Sequence, residues 1–135
     1  MEVFDSFFEI EQSLYKTRLI SNISLKDVSS RDEGLHIVVM YRIEKHKNYH
    51  MSSLLKYVKI MNKKLYADNI LIDSLGQLGQ LLKSKRTAAG LSLLKTYAST
   101  GIMPKNISRI ENGEDYNKNT LIKYLSIFSI ILKIK

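Results

Sequence analysis

The sequence predicts an all-α fold in which one small helical module occurs twice, each copy closing on a short β-strand. Two observations lead there. The chain repeats itself, and apolar residues in both copies recur at helical spacing between turn-forming residues. Shifting the chain by 67 positions lays residues 36–68 over 103–135. Arg42-Ile43-Glu44 then falls on Arg109-Ile110-Glu111, Tyr49 on Tyr116, and Leu54-Leu55-Lys56-Tyr57 on Leu121-Ile122-Lys123-Tyr124. Ile60 meets Ile127 and Leu65 meets Leu132, which makes nine identities in 33 aligned positions, where unrelated sequences give about two. Upstream the shift becomes 68, because the first copy has one extra residue near Asp32-Glu33. Leu14 then meets Leu82, Arg18 meets Arg86, and Ile23-Ser24-Leu25 meets Leu91-Ser92-Leu93. The repeat divides the chain into residues 1–68 and 69–135, joined near Asp68 to Asp73 with no Gly/Ser-rich linker.

Each element of the second copy follows from its residues. Between Asp73 and Ala89, Leu75, Leu78, Leu82 and Ala89 stand three or four residues apart or at multiples of that spacing, and Gly90 supplies a left-handed helix end. Ser92 suits the N-cap of a second helix running to about Thr100, after which Gly101 makes a tight turn. Pro104 fits the first turn of a third helix, where its missing N–H costs nothing, and Asn112-Gly113 ends it. Asn117 caps a fourth helix through about Phe128. The first copy reads likewise, with helices near 4–21, 24–32, 36–45 and 51–62. Leu65-Tyr66-Ala67 and Ile130–Ile134 read as short strands that pair with each other, the alternative being that they extend the fourth helices.

Composition narrows the function classes. With 135 residues, 44% hydrophobic and 25% charged, the chain is globular in composition and large enough for one ordinary domain or two very small ones. It has no cysteine, which removes disulfides, thiolate metal sites and cysteine nucleophiles, and is compatible with the cytoplasm. Met1-Glu2-Val3-Phe4-Asp5 lacks the basic start of a secretory signal, and Leu125 to Leu132, broken by Ser126 and Ser129, falls far short of a membrane span. A cytoplasmic protein without a membrane partner is the expectation. The net charge is +8, and its distribution is uneven. Residues 1–68 carry 11 basic and 9 acidic side chains, whereas residues 69–135 carry 10 basic and 4 acidic. A general lysine bias would not load one half, so the second copy points to a polyanionic partner.

The run Gly90-Leu91-Ser92, Gly101-Ile102, Ile107-Ser108-Arg109-Ile110-Glu111-Asn112-Gly113 and Leu121-Ile122 resembles the lambda-repressor-like, or XRE-type, helix-turn-helix family. Ile23-Ser24, Gly34-Leu35 and Arg42-Ile43-Glu44 give a weaker match in the first copy. The resemblance implies two tandem helix-turn-helix domains, the first degenerate, that bind double-stranded DNA. In this family the second helix of the motif lies in the major groove with its N-terminal turn at the base edges. Its base-reading positions correspond here to Pro104, Lys105, Ser108 and Arg109, with Lys105 and Arg109 suited to guanine. Lys83, Ser92, Asn106 and Lys118 are expected at the DNA backbone. The resemblance also implies structural ion pairs between Arg18 and Glu44 and between Arg86 and Glu111. Some residues depart from the pattern. Leu93 and Leu25 follow the capping serines where the family often has Gln, and Thr96 and Thr100 stand where core leucines are usual. Leu94 and Tyr97 are expected to supply the missing bulk.

In the first copy the reading positions become Ile37, Val38, Tyr41 and Arg42, within the apolar run Ile37-Val38-Val39-Met40-Tyr41. Ile37, Val38, Val39 and Tyr41 therefore suit an interface with a partner protein, the other domain or a second chain. Contact with thymine methyl groups and a repacked core are the other two readings. His36, His46 and His50 lie around the third helix of the first copy and the loop after it. His46 and His50 stand four apart but fall in that loop, so solvation rather than metal binding is expected, as it is for Asp32-Glu33 and Glu114-Asp115 in turns. No catalytic motif is present, so no enzyme, cofactor or metal is expected. The sequence as a whole points to a sequence-specific transcriptional regulator of bacterial or mobile-element type, acting as a homodimer or an intramolecular pseudo-dimer. The competing readings are an antitoxin-like or adaptor protein that grips a partner through its first domain, and a structural relic that binds nothing.

Overall fold

The computed structural model describes residues 3–31 and 35–135, so the turn expected at Asp32-Glu33 lies outside the described residues. Among the described residues the chain is mostly helical. Its first half forms α1 (Val3–Ile20), α2 (Leu25–Ser29), α3 (Ile37–Glu44), α4 (Met51–Ile60) and β1 (Leu65–Ala67). After β2 (Ile70–Ile72), the second half forms α5 (Leu75–Ala88), α6 (Leu93–Thr100), α7 (Pro104–Glu111), α8 (Lys118–Leu125) and β3 (Leu132–Ile134).

The helix starts are set by side chains that occupy orphan backbone N–H groups. Ser24 accepts from the Asp27 N–H while Asp27 accepts from the Ser24 N–H, a reciprocal capping box. Ser74, Ser92 and Asn117 cap α5, α6 and α8 through the N–H groups of Gln77, Lys95 and Thr120. Gly101 ends α6 at φ 76°, a left-handed conformation that costs glycine no steric penalty. The fourth helix of the second half ends at Leu125, short of the expected Phe128, where the Ser126 hydroxyl donates to the Lys123 carbonyl.

The closing segments do pair. β1 and β3 run antiparallel, with Leu65 opposite Ile134, Tyr66 opposite Lys133 and Ala67 opposite Leu132. Only Leu132–Ile134 of the expected 130–134 tail is strand. The segment expected as a plain connection is itself part of the sheet, since β2 pairs with β1 on its other edge in the order β2-β1-β3. Asp68 and Asn69, both at positive φ (48° and 66°), make the two-residue hairpin turn. The boundary between residues 68 and 69 thus falls inside a hairpin.

One cluster of buried apolar side chains runs through both halves, from Phe7, Ile10 and Leu14 to Leu121, Tyr124 and Leu132. α1 packs along β3 and reaches α8, so the first helix closes on the last elements of the chain. No helix among the described residues is long and apolar enough to cross a membrane.

Candidate nucleic-acid interface

The second half builds a short, well-anchored helix with a polar outer side. Ile102 is buried in the turn that follows α6, and Pro104 opens α7 at its first position. Ile107, Ile110 and Glu111 face inward, three or four residues apart. Lys105, Asn106 and Arg109 are left exposed, with Pro104 and Ser108 half-buried beside them. Met103 makes no side-chain cap, Pro104 has no N–H to offer, and the Asn106 N–H donates to the Met103 carbonyl at 2.9 Å. The Arg109 guanidinium approaches Glu114 only to 4.0 Å and both side chains are more than half exposed, a weak contact that leaves it free to reach a ligand.

A buried cluster fixes the direction of α7. Arg86 on α5 donates from Nε and Nη2 to the Glu111 carboxylate at 2.6 and 2.9 Å, and from Nη1 to the Leu91 carbonyl at 2.8 Å. The Tyr124 hydroxyl of α8 donates to the same carboxylate at 2.5 Å. Burial, and then the hydrogen bond to Glu111, hold the Tyr124 phenol well above its ordinary pKa, so it stays a proton donor. Gly79 lets α5 and α7 approach closely: a Cβ there would lie 2.5 Å from the Glu111 carbonyl oxygen.

The first half carries the same cluster. Arg18 donates to Glu44 at 2.7 and 2.8 Å and to the Ile23 carbonyl at 2.9 Å, and the Tyr57 hydroxyl donates to Glu44. The outer side of α3 differs. Ile37, Val38 and Tyr41 are exposed, Val38 to 69%, while Val39 is half-buried. Ile37, Val38 and Tyr41 thus stay open to solvent on the folded chain, while Val39 packs against the core. Arg42 donates from Nε to the Asn48 carbonyl at 2.7 Å.

The structure brings Lys105, Asn106, Ser108 and Arg109 together on one helix, with Ser92 at the start of α6 and Lys83 exposed on α5. Lys118 does not join them. Its ammonium is buried 2.8 Å from Glu11 and lies over the rings of Tyr49 and Phe7, so it cannot reach a DNA backbone. Glu11 also accepts from the Tyr49 hydroxyl and contacts His46 Nδ1 at 2.9 Å. His46 is thus no solvated loop residue: its ring stacks on Phe8, and it takes a positive φ of 61° where the other copy has Gly113. His50 is exposed, and Asp115 accepts from the Ser52 N–H and hydroxyl rather than standing free in solvent. Among the described residues no group of three His, Cys, Asp or Glu could hold a metal ion.

Comparison with protein-family models, with curated proteins and with solved structures finds no match. What the surface can do is therefore read from its own chemistry.

Leu94 and Tyr97 are exposed, so they do not replace the missing core leucines. Thr96, fully buried, takes one core position, and both threonines tie their hydroxyls to the preceding turn of α6: Thr96 to the Ser92 carbonyl and Thr100 to the Thr96 carbonyl. Two open clefts lie beside α7 and α3 and were not foreseen in the sequence. One of about 360 Å³ is lined by Asn106, Arg109, Asp115 and Tyr116, and one of about 260 Å³ by Val39, Arg42, Asn48 and Tyr49. His50 and Asn117, joined as an antiparallel bridge, line both. A 67-residue self-comparison holds the signal for this arrangement, because each of the four residues in the second cleft aligns with one in the first.

Proposed function

We propose that the chain is a sequence-specific, double-stranded-DNA-binding transcriptional regulator of the lambda-repressor-like, XRE-type helix-turn-helix class, with residues 69–135 as its principal reading domain. The observation that carries this reading is α7. Its inner side is locked by Ile107, Ile110 and the Arg86–Glu111 pair, and its outer side offers Lys105, Asn106, Ser108 and Arg109. Lys and Arg donors projecting from a firmly anchored helix suit the O6 and N7 acceptors of guanine in the major groove. The charge excess of residues 69–135 supplies the sequence-independent attraction to phosphates.

The test is selection of bound duplexes from a random pool, followed by titration of the selected site at two salt concentrations. Lys105→Ala and Arg109→Ala are each expected to weaken that site by about 1–3 kcal/mol and to blur preference at individual base pairs. Lys83→Ala is expected to weaken every duplex alike and to lower the salt slope by about one unit. Failure to enrich any sequence, with no loss of affinity in Lys105→Ala or Arg109→Ala, would overturn the reading.

A further inference from the structure

We infer that one chain acts as a complete two-headed reader of an asymmetric duplex site, in which α7 reads one half through hydrogen bonds and α3 reads the other through thymine methyl groups. This inference rests on the DNA-binding reading above. It begins with the seam between the two halves. The Met51 N–H donates to the Tyr116 carbonyl at 2.8 Å, and the Lys118 N–H donates to the Tyr49 carbonyl at 2.8 Å. Replacing each partner by its counterpart in the other copy, 67 positions away, turns one of these bonds into the other, and the His50–Asn117 bridge lies between them. The sheet behaves identically. The Leu65–Ile134 and Ala67–Leu132 pairs exchange under the same shift, about a centre at Tyr66 and Lys133. Two separate crossings, each centred on residues one repeat apart, are what a two-fold axis between the halves produces, as in the self-complementary interface of a symmetric dimer.

The two clefts place the reading helices about that axis. Arg109 and Asn106 of α7 border one, Arg42 and Val39 of α3 border the other, and the His50–Asn117 bridge lines both. Helices α3 and α7 thus flank a common axis, as paired recognition helices flank the dyad of a two-half-site operator. Their chemistry differs. Pro104, Lys105 and Ser108 are matched by Ile37, Val38 and Tyr41. Ile and Val can donate nothing to a base edge, and the major-groove feature they complement is the thymine C5 methyl group.

Charge favours DNA over a second protein on this helix. From His36 to Lys47 the acidic side chain is Glu44, buried on Arg18, whereas Arg42 and Lys45 are exposed beside the apolar strip.

The test uses the whole chain and the duplex selected above, with each thymine replaced in turn by uracil, which removes only the methyl group. One chain per duplex is expected, with affinity falling about three- to fivefold per methyl lost in one half-site. Val38→Ala, at an exposed position, is expected to weaken the site and to abolish the uracil effect in that half alone. Two chains per duplex would overturn the inference. So would indifference to uracil in both halves while Lys105→Ala still weakens binding, an outcome that leaves the DNA-binding reading standing. A dimer formed without DNA and split by Val38→Asp would assign α3 to a second copy and overturn it too. If no sequence is enriched, both readings fall together.

Discussion

The Lys118 ammonium lies 2.8 Å from Glu11 Oε2, with the two side chains only 4% and 1% exposed. The pair links α1 of the first half to α8 of the second, 107 positions apart in the chain. Tyr49 and His46 complete the cluster around the carboxylate. Removing Lys118 leaves the Glu11 carboxylate buried without its lysine partner. Lys118→Met is therefore expected to cost about 3–5 kcal/mol of stability, read as the urea midpoint of the whole chain. The double variant Glu11→Leu with Lys118→Met is expected to recover much of that loss, because no charge then remains to be solvated.

The Arg86–Glu111–Tyr124 cluster ties α7 to α5 and α8. Glu111→Ala leaves the Arg86 guanidinium and the Tyr124 hydroxyl without their shared acceptor, and is expected to cost about 3–5 kcal/mol. Tyr124→Phe removes a single donor and is expected to cost about 1 kcal/mol. Both are measured by denaturant unfolding.

Two glycines of α5 are expected to respond in opposite directions to the same change. Gly79→Ala places a methyl group 2.5 and 2.6 Å from the carbonyl oxygens of Glu111 and Ile110, and is expected to destabilise by about 1–3 kcal/mol as α5 and α7 separate. At Gly76 the nearest atom to an added Cβ is Ser74 Oγ at 3.6 Å. Gly76→Ala is expected to stabilise by about 0.5–1 kcal/mol through the unfolded chain. Thermal unfolding of both variants checks the contrast.

Asp68 gives the sheet a pH dependence. Burial pushes its carboxyl pKa up, but Lys85 Nζ at 2.6 Å and the Ile131 N–H at 2.9 Å outweigh burial and hold it below the usual value. A carboxyl with a lowered folded-state pKa adds stability above about pH 4 and loses it as the pH falls through the folded value. Asp68→Asn is expected to cost about 0.5–1 kcal/mol at pH 7, and nothing once the pH lies below both values. Unfolding midpoints of the two proteins at pH 7, 4 and 3 are expected to converge.

Much of this architecture is written locally. Ser24, Ser92 and Asn117 mark helix starts because capping depends on the residue itself and its next three neighbours. The repeat carries the equivalence of the Arg18–Glu44 and Arg86–Glu111 pairs. β2 was not legible, because Ile70-Leu71-Ile72 is too short for a period and becomes a strand only where Asp68 and Asn69 turn it back onto β1. Lys118 misleads for a different reason. A lysine in the first turn of an Asn-capped helix looks solvated, and its burial is dictated by a distant carboxylate. A signal was nevertheless present: Glu11 stands with Phe7, Ile10 and Leu14 on the inward side of α1, where an acidic side chain requires a partner. The exposure of Leu94 and Tyr97 was hidden because spacing assigns a helix face but not how closely a neighbour covers it.

The hairpin turn at Asp68 and Asn69 makes the two halves parts of one polypeptide. In an assembly of identical subunits every substitution is made twice, and a change useful at one position is imposed on its symmetry mate. Covalent joining removes that constraint. Val38 and Lys105 occupy equivalent places in the repeat yet differ in polarity, charge and length. Such a difference is open to a fused pair and closed to a pair of identical chains.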